Sequence, residues 1–141
     1  MTPERLNLEK QVLQKEMPMV QCVFKDMSTS EPYVLMPVKT NIGKVYTIRI
    51  DLKGFPNQLP HAFVTKMLQT KSGRSMNDAS AAMHTLPTEH GYTRICHYGS
   101  SSWTPMVSLF KVYIKCALWL NMYELHLKTG KDMDYYLSHQ S

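Results

Sequence analysis

Residues 106–120 read MVSLFKVYIKCALWL, and 12 of these 15 residues are apolar. A helix that crosses a bilayer needs about 20 consecutive apolar residues, whereas this run is shorter and contains Lys111 and Lys115. It therefore predicts a central helix that is buried nearly all round inside a protein core. Thr104-Pro105 is expected to open this helix, and Gly130 is expected to end it.

The chain around this helix predicts a further helix near each end, with strands between them. Thr2 can cap an N-terminal helix, Pro3 fits its first position, and Pro18 ends it. Short runs separated by turn residues predict a four-stranded antiparallel meander over residues 19–25, 33–39, 45–52 and 61–68. A last short helix is predicted over residues 132–139, which completes an α+β fold.

Length, composition and charge limit the function classes. The 141 residues fit one domain spanning residues 1–141, and a hydrophobic content of 43% excludes a largely disordered chain. The 16 Lys and Arg residues give a net charge of +5 but are scattered. Scattered charge argues against a nucleic-acid groove and suits an acidic protein partner. The first residues lack the apolar stretch of a secretory signal, and we expect no membrane partner.

The three cysteines, Cys22, Cys96 and Cys116, cannot all pair within the chain, and none belongs to a Cys-x-x-Cys motif. This pattern argues against a disulfide scaffold and favours a reducing compartment, so we expect the protein in the cytoplasm. Cys22 and Cys116 lie in apolar runs and are expected to pack as small hydrophobic residues. Cys96 is the cysteine expected in a loop, where a thiol can act as a nucleophile.

Residues 71–102 carry no sustained period and are rich in Gly, Ser, Thr, Asn and His. An irregular segment of that length inside a compact domain usually has a function. It contains His84-Thr85-Leu86 and then Gly91-Tyr92-Thr93-Arg94-Ile95-Cys96, and Trp103-Thr104-Pro105 follows it.

These motifs and the order of the elements resemble those of the ubiquitin-conjugating (UBC) enzymes. That family reads His-Pro-Asn, then Gly-x-Ile-Cys, and then Trp-Ser-Pro at the start of a helix. Upstream, residues 46–50 followed by Phe55-Pro56 and Pro60 look like the family's third strand and its Phe-Pro…Pro loop. The resemblance implies a UBC-like fold with an N-terminal helix, a four-stranded antiparallel meander, a long active-site segment, a central buried helix and a short C-terminal helix.

The resemblance implies that Cys96 carries a ubiquitin-like modifier, or a protein C-terminus, as a thioester and transfers it to an amine. The enzyme would thus be an acyl transferase that needs no cofactor. Its partners would be a protein substrate or modifier and, as a further candidate, an activating enzyme. In the family the residue that matches His84 chiefly shapes the loop by hydrogen bonding.

The chain departs from the family at the asparagine that helps to stabilise the oxyanion. Leu86 or a position near Thr88 takes its place, and leucine offers no donor. Removing one oxyanion donor costs about 10²–10³ in rate, so another group must substitute or the transfer is slow. Thr88, Tyr92, Tyr98 and backbone N–H groups are the candidate donors.

The family also uses an acidic residue to help deprotonate the incoming lysine, and Asp132 and Asp134 are the candidates for that role. A diverged active-site loop on this fold resembles the short bacterial UBC-fold proteins of antiphage (CBASS-type) operons. Those proteins lie beside cGAS-like nucleotidyltransferases. The resemblance there implies that the nucleotidyltransferase's C-terminus is attached to a target, which primes its signalling.

Three alternatives stay open at the level of sequence. A catalytically weak UBC-fold adaptor that binds a ubiquitin-like partner is consistent with the missing asparagine. A thiol hydrolase would pair Cys96 with His84 or His90, whereas His97 is a poor partner because neighbouring side chains in an extended segment point to opposite sides. A metal site made by His84, His90, Cys96 and His97 has suitable donors but matches no common zinc spacing.

Overall fold

The computed structural model describes residues 1–137, and its first element is helix α1 (Pro3–Glu16). The side-chain oxygen of Thr2 accepts the backbone N–H of Arg5 at 3.1 Å. The predicted N-terminal cap and Pro3 at the first helical position are thus confirmed.

A six-stranded antiparallel sheet follows, with the spatial order β1-β2-β3-β4-β6-β5. Its strands are β1 (Val23–Lys25), β2 (Tyr33–Lys39), β3 (Val45–Asp51), β4 (Ala62–Val64), β5 (Thr85–Glu89) and β6 (Tyr92–Ile95). The first four strands form the predicted meander. However, β1 and β4 are only three residues long, which is shorter than their predicted ranges.

The prediction of four strands was wrong, because the segment expected to be irregular contributes the hairpin β5–β6. Strand β6 pairs with β4, so that Ile95 lies opposite Ala62 and the sheet continues past the meander. The alternating pattern of β5 is interrupted by a register shift between Leu86 and Glu89. The hairpin turn contains Gly91, whose φ of +76° favours glycine.

Helix α2 (Leu109–Thr129) begins later than Thr104-Pro105, because the Ser108 hydroxyl caps it by accepting the backbone N–H of Lys111 at 3.1 Å. Its predicted end at Gly130 is confirmed. Gly130 has a φ of +78°, and its N–H donates to the carbonyl of His126 at 2.8 Å.

Helix α2 buries one face rather than its whole circumference. The buried positions recur at helical spacing and are Leu109, Val112, Tyr113, Cys116, Trp119, Leu120, Tyr123, Glu124 and His126. Ile114 is 46% exposed and Lys111 is exposed, so the expectation of burial nearly all round was wrong. The buried face shares one core with the alternate residues of β2 and β3, such as Met36 and Ile48.

Helix α3 (Met133–Leu137) closes the described part of the chain and buries Met133 and Leu137. The predicted continuation to His139 lies outside the described residues. Among residues 1–137, no helix has the length and apolar character that crossing a membrane requires.

Candidate functional site

Cys96 and His84 lie opposite each other at the open end of the β5–β6 hairpin. His84 directly precedes β5 and Cys96 directly follows β6. The backbone N–H of Cys96 donates to the His84 carbonyl at 3.0 Å and so extends the ladder by one bond. His84 has a φ of +52°, a left-handed conformation that bends the chain into β5.

Two helices fix His84 in this position. The indole N–H of Trp119, in α2, donates to the same His84 carbonyl at 2.9 Å. The imidazole Nε2 of His84 lies 2.8 Å from the Asp134 carboxylate in α3, and donates to it because a carboxylate only accepts. Helix α3 is tied to this segment a second time, because the Asp134 N–H donates to the Ala82 carbonyl at 2.8 Å.

A cleft of about 290 Å³ opens between this hairpin end and α2. Its lining residues are His84, Cys96, His97, Tyr98, Gly99, Ser101, Ser102, Lys115, Leu118, Trp119 and Leu137. The structure therefore brings together three of the predicted site residues, Cys96, His84 and Tyr98. A larger cleft of about 710 Å³ between α1 and β1 shares none of these lining residues.

Cys96 is partly exposed, and burial raises the pKa of its thiol while the Arg94 guanidinium acts in the opposite direction. Within residues 1–137 the sulfur makes no hydrogen bond to an imidazole. The cysteine is therefore held as a protonated thiol at neutral pH rather than as an imidazole-paired thiolate. Cys116 is fully buried, which raises its pKa further, and partly buried Cys22 packs against the core.

His97 also lines the cleft, because β6 ends at Ile95 and the following residues leave the strand. Its Nδ1 donates to the Ile95 carbonyl at 3.3 Å, which leaves Nε2 as the acceptor atom of the neutral ring. Nε2 is enclosed and has no hydrogen-bond partner among the described residues. Burial lowers the pKa of His97 to about 4. The sequence argument rejected His97 as a partner of Cys96 because side chains alternate in an extended segment, but that alternation ends with β6 at Ile95 and both residues line the cleft.

The aromatic wall of the cleft joins two of the motifs quoted above. The Tyr98 ring stands at right angles to the Trp103 ring, with centroids 5.7 Å apart. The Trp103 indole N–H donates to the Pro56 carbonyl at 3.0 Å, and its ring lies 6.1 Å from that of Phe55. The loop after β3 thus supports the segment that follows Cys96.

The other predicted site residues lie elsewhere. The Thr88 hydroxyl donates to the Tyr92 carbonyl within the hairpin, and Thr88 does not line the cleft. Asp132 lines a different cleft, together with Lys71 and His126. The carboxylate that the structure places beside His84 is that of Asp134.

The segment after Cys96 presents unused backbone donors. The N–H groups of His97, Tyr98 and Gly99 donate to no protein acceptor within the described part of the chain. Tyr98 and Gly99 line the cleft, so their backbone N–H groups are candidates for the oxyanion donor that replaces the asparagine.

Comparison with known proteins found no match. No protein-family model, no curated protein and no solved structure resembles the chain at a significant level. The cleft and the residues around Cys96 are therefore the basis for assigning a function.

One group of side chains has the composition of a metal site. Ligand atoms of Asp51, Glu89 and His90 all lie within 4.8 Å of one another. Guanidinium groups already neutralise both carboxylates, since Arg49 Nε is 2.8 Å from Asp51 and Arg94 Nη1 is 3.4 Å from Glu89. The group is thus a balanced ionic network at the turn of the β5–β6 hairpin.

His90 belongs to this network and not to the cleft. Its Nε2 lies 3.0 Å from Asp51 Oδ2, whereas His84 pairs with Asp134 at the other end of the hairpin. The structure therefore does not gather His90 with Cys96, which removes the geometric basis of a Cys96–His90 dyad and of the metal set that includes both residues.

Proposed function

We propose that the protein is a UBC-like conjugating enzyme in which Cys96 carries the C-terminal carbonyl of a modifier or partner protein as a thioester. The observation that supports this proposal is the position of Cys96 in a cleft opposite His84, which Trp119 and Asp134 hold in place. The α+β fold has a helix before its antiparallel sheet and helices after it, as the motif resemblance implies, whereas the hairpin β5–β6 lies where it implies a long irregular segment.

Loading of Cys96 requires removal of the thiol proton, because burial raises the pKa of this group. His84 is the base we assign to that step. Its Nε2–H is held by Asp134, so Nδ1 is the atom that can accept a proton. The sulfur attacks the carbonyl carbon of an activated acyl donor, the bond to the donor's leaving group breaks, and the thioester forms. His84 passes its proton to the departing group, so that its Nδ1 is free for the next step.

In the transfer step an amine nitrogen attacks the thioester carbon, and its proton passes to His84. The negative charge that develops on the carbonyl oxygen is stabilised by the backbone N–H groups of His97, Tyr98 and Gly99, which replace the family's asparagine. The C–S bond then breaks, the amide forms, and the Cys96 thiolate takes up a proton.

The motif resemblance supports one acyl donor in particular, the C-terminus of a cGAS-like nucleotidyltransferase in bacterial antiphage defence. All three cysteines are free thiols, as a reducing cytoplasm would keep them. A nucleotidyltransferase gene or an activating-enzyme gene beside this one is the expected genomic context.

The proposal is tested by trapping the covalent adduct. Tagged wild type, Cys96→Ser and Cys96→Ala are expressed with the neighbouring genes and analysed by non-reducing gel and intact mass spectrometry. We expect a wild-type adduct that added thiol cleaves, a Cys96→Ser adduct that resists thiol, and none on Cys96→Ala. Cys22→Ala is the matched control and should retain the adduct. An adduct that persists on Cys96→Ala, or no adduct on wild type, overturns the proposal.

The pair Asp134→Asn and Asp132→Asn tests the role of His84. If Asp134 orients His84 for proton transfer, Asp134→Asn slows discharge of the thioester to free lysine by about 10-fold or more, and Asp132→Asn leaves it unchanged. Equal rates for the two variants would remove His84 and Asp134 from the mechanism.

A thiol hydrolase is the second candidate, because the His84–Asp134 pair beside Cys96 has the composition of a Cys-His-Asp triad. Both candidates require the Cys96 thiol, whose pKa burial raises, to lose its proton. The motif resemblance to the conjugating enzymes is what favours thioester transfer over hydrolysis. Hydrolysis of a thioester or peptide substrate by wild type without any amine acceptor would favour this alternative.

A further inference from the structure

The Cys96 cleft continues into a second cleft at the N-terminus of α2. Tyr98, Ser102 and Lys115 line both of them. The second cleft has a volume of about 450 Å³, and the remaining residues that line it are Thr104, Met106, Val107, Ser108 and Lys111. Because the two clefts share these three residues, they lie side by side along α2, and together they are called the track.

The track carries positive charge without acidic neighbours. Neither cleft has an Asp or Glu among its lining residues, although the chain contains 11 such residues. Lys115 lies at the border of the clefts with its Nζ 5.4 Å from the centroid of the Tyr98 ring, and Lys111 lies one helical turn before it. Asp134, which binds His84, is not a lining residue.

The positive end of the α2 dipole is already met by the Glu9 carboxylate of α1, which accepts the Leu109 N–H at 3.1 Å. The charge of the track therefore comes from two lysines of α2, Lys111 and Lys115, and not from the helix end. Beside it Met106 is 88% exposed and lines the second cleft. An occupant of the track would therefore meet two ammonium groups and one exposed thioether.

We infer that the track docks the extended C-terminal segment of the protein loaded on Cys96, and that acidic residues of this segment lie against Lys115 and Lys111. The inference rests on the proposed function, because the terminal carbonyl of the segment has to reach the Cys96 sulfur. Charge complementarity selects the occupant, because the two ammonium groups would attract acidic side chains and would not attract a neutral segment.

The test measures binding of synthetic peptides to Cys96→Ala protein by fluorescence polarisation, so that no covalent step takes part. The first probe is a fluorescein-labelled octapeptide that ends in Gly-Gly preceded by four glutamates. The second probe has glutamines in place of the glutamates. The third has the acidic sequence reversed, with its glycines at the N-terminal end. Each is titrated into Cys96→Ala and into the same protein with Lys111→Gln and Lys115→Gln, and Lys39→Gln is the exposed control.

We expect the acidic probe to bind about 10-fold more tightly than the neutral probe, as two partly screened charge contacts would give. This preference should fall to within about 2-fold in the double lysine variant and stay unchanged in Lys39→Gln. The reversed probe should lose most of the gain, since its acidic end would point toward the thiol.

Three outcomes overturn the inference. They are equal binding of the acidic and neutral probes, a preference that survives the double lysine variant, and no binding of the acidic probe at about 1 mM. If the reversed probe binds as tightly as the acidic probe, the track does not distinguish the two chain directions. The assignment of its occupant as a C-terminal segment is then wrong. A thioester on wild type without an acidic preference leaves the proposed function intact. An acidic preference without any thioester leaves only a binding track.

Discussion

The carboxylate of Glu9 in α1 accepts the backbone N–H of Leu109, the first residue of α2, with an Oε1···N distance of 3.1 Å. Glu9 is only 2% exposed. Arg5 lies 3.5 Å from Glu9 and donates to the carbonyls of Pro105 and Val107 at 2.6 and 3.0 Å. Helix α1 therefore fixes the start of α2 and with it one wall of the second cleft.

Glu9→Ala should lower the free energy of unfolding by about 2–3 kcal/mol, because it leaves the buried N–H of Leu109 without an acceptor. Glu9→Gln should cost less, since its amide oxygen still accepts this N–H. Burial raises the pKa of Glu9, because the folded protein removes its carboxylate from water at a cost. Glu9→Gln removes this charge and with it that desolvation cost. Urea denaturation gives the values, and exposed Glu4→Ala is the control. Equal losses for Glu9→Ala and Glu4→Ala would contradict this account.

Local signals predicted the elements whose ends are set by local bonds. Thr2 caps α1 with its own side chain, and Gly130 ends α2 in the left-handed conformation, so both bounds could be read from the sequence. The β5–β6 hairpin could not, because its pairing depends on β4, a strand distant along the chain, and the shift between Leu86 and Glu89 breaks its alternation.

The composition of α2 misled the burial prediction for a physical reason. Apolar residues show that a segment avoids water, but only the neighbouring elements decide which face is covered. Leu120 has 0% exposure, whereas Ile114 is 46% exposed although it is equally hydrophobic. The second cleft and the Cys96 cleft both open along this helix through Lys115, so its outer face is part of the site.

Leu120→Asp should unfold the protein, because it places an unpaired charge in the core. Ile114→Asp should change the free energy of unfolding by less than about 1 kcal/mol, since the carboxylate can stay in water. Circular dichroism in urea compares the two variants. A folded Leu120→Asp protein, or an Ile114→Asp variant that is equally damaged, would contradict the one-sided burial of α2.

Of the residues that the sequence offered for the site, Cys96, His84 and Tyr98 line one cleft, whereas Thr88 and Asp132 do not. Cys96 and His84 come together because one ladder bond joins them across the hairpin end. Asp132 was expected beside the site together with Asp134, but it precedes α3 and lines another cleft, whereas Asp134 on α3 reaches His84. Side chains two residues apart at the start of a helix point in different directions. The sequence does not show at which residue α3 begins, so it could not tell Asp132 from Asp134.

Stability should fall as the pH is lowered from about 6.5 to about 4, because the His97 imidazole has a pKa of about 4 in the folded protein and an ordinary value of 6.5 when unfolded. Over this pH range the unfolded chain takes up a proton at His97 before the folded protein does. The free energy of unfolding therefore falls by about 3 kcal/mol across the range. Urea denaturation at a series of pH values measures the loss.

His97→Phe removes the titrating group and keeps a ring of similar size, so its stability should change much less between pH 6.5 and pH 4. Lys39→Gln is the control, since Lys39 is exposed on β2 and the variant keeps His97 and should show the wild-type loss. A His97→Phe variant with the full wild-type loss would assign the acid sensitivity to other groups.

Alkylation of Cys96 should show an inflection above the ordinary thiol pKa of about 8.5, because burial raises the pKa of this group and no imidazole of residues 1–137 is bonded to its sulfur. Iodoacetamide labelling from pH 6 to pH 10, followed by site-resolved mass spectrometry, gives the rate at this cysteine alone. Arg94→Gln should move the inflection upward, since the Arg94 guanidinium favours the thiolate. A thiol that reacts with an inflection below about 7.5 would instead indicate a resident thiolate–imidazole pair, and the hydrolase alternative would then replace the thioester carrier.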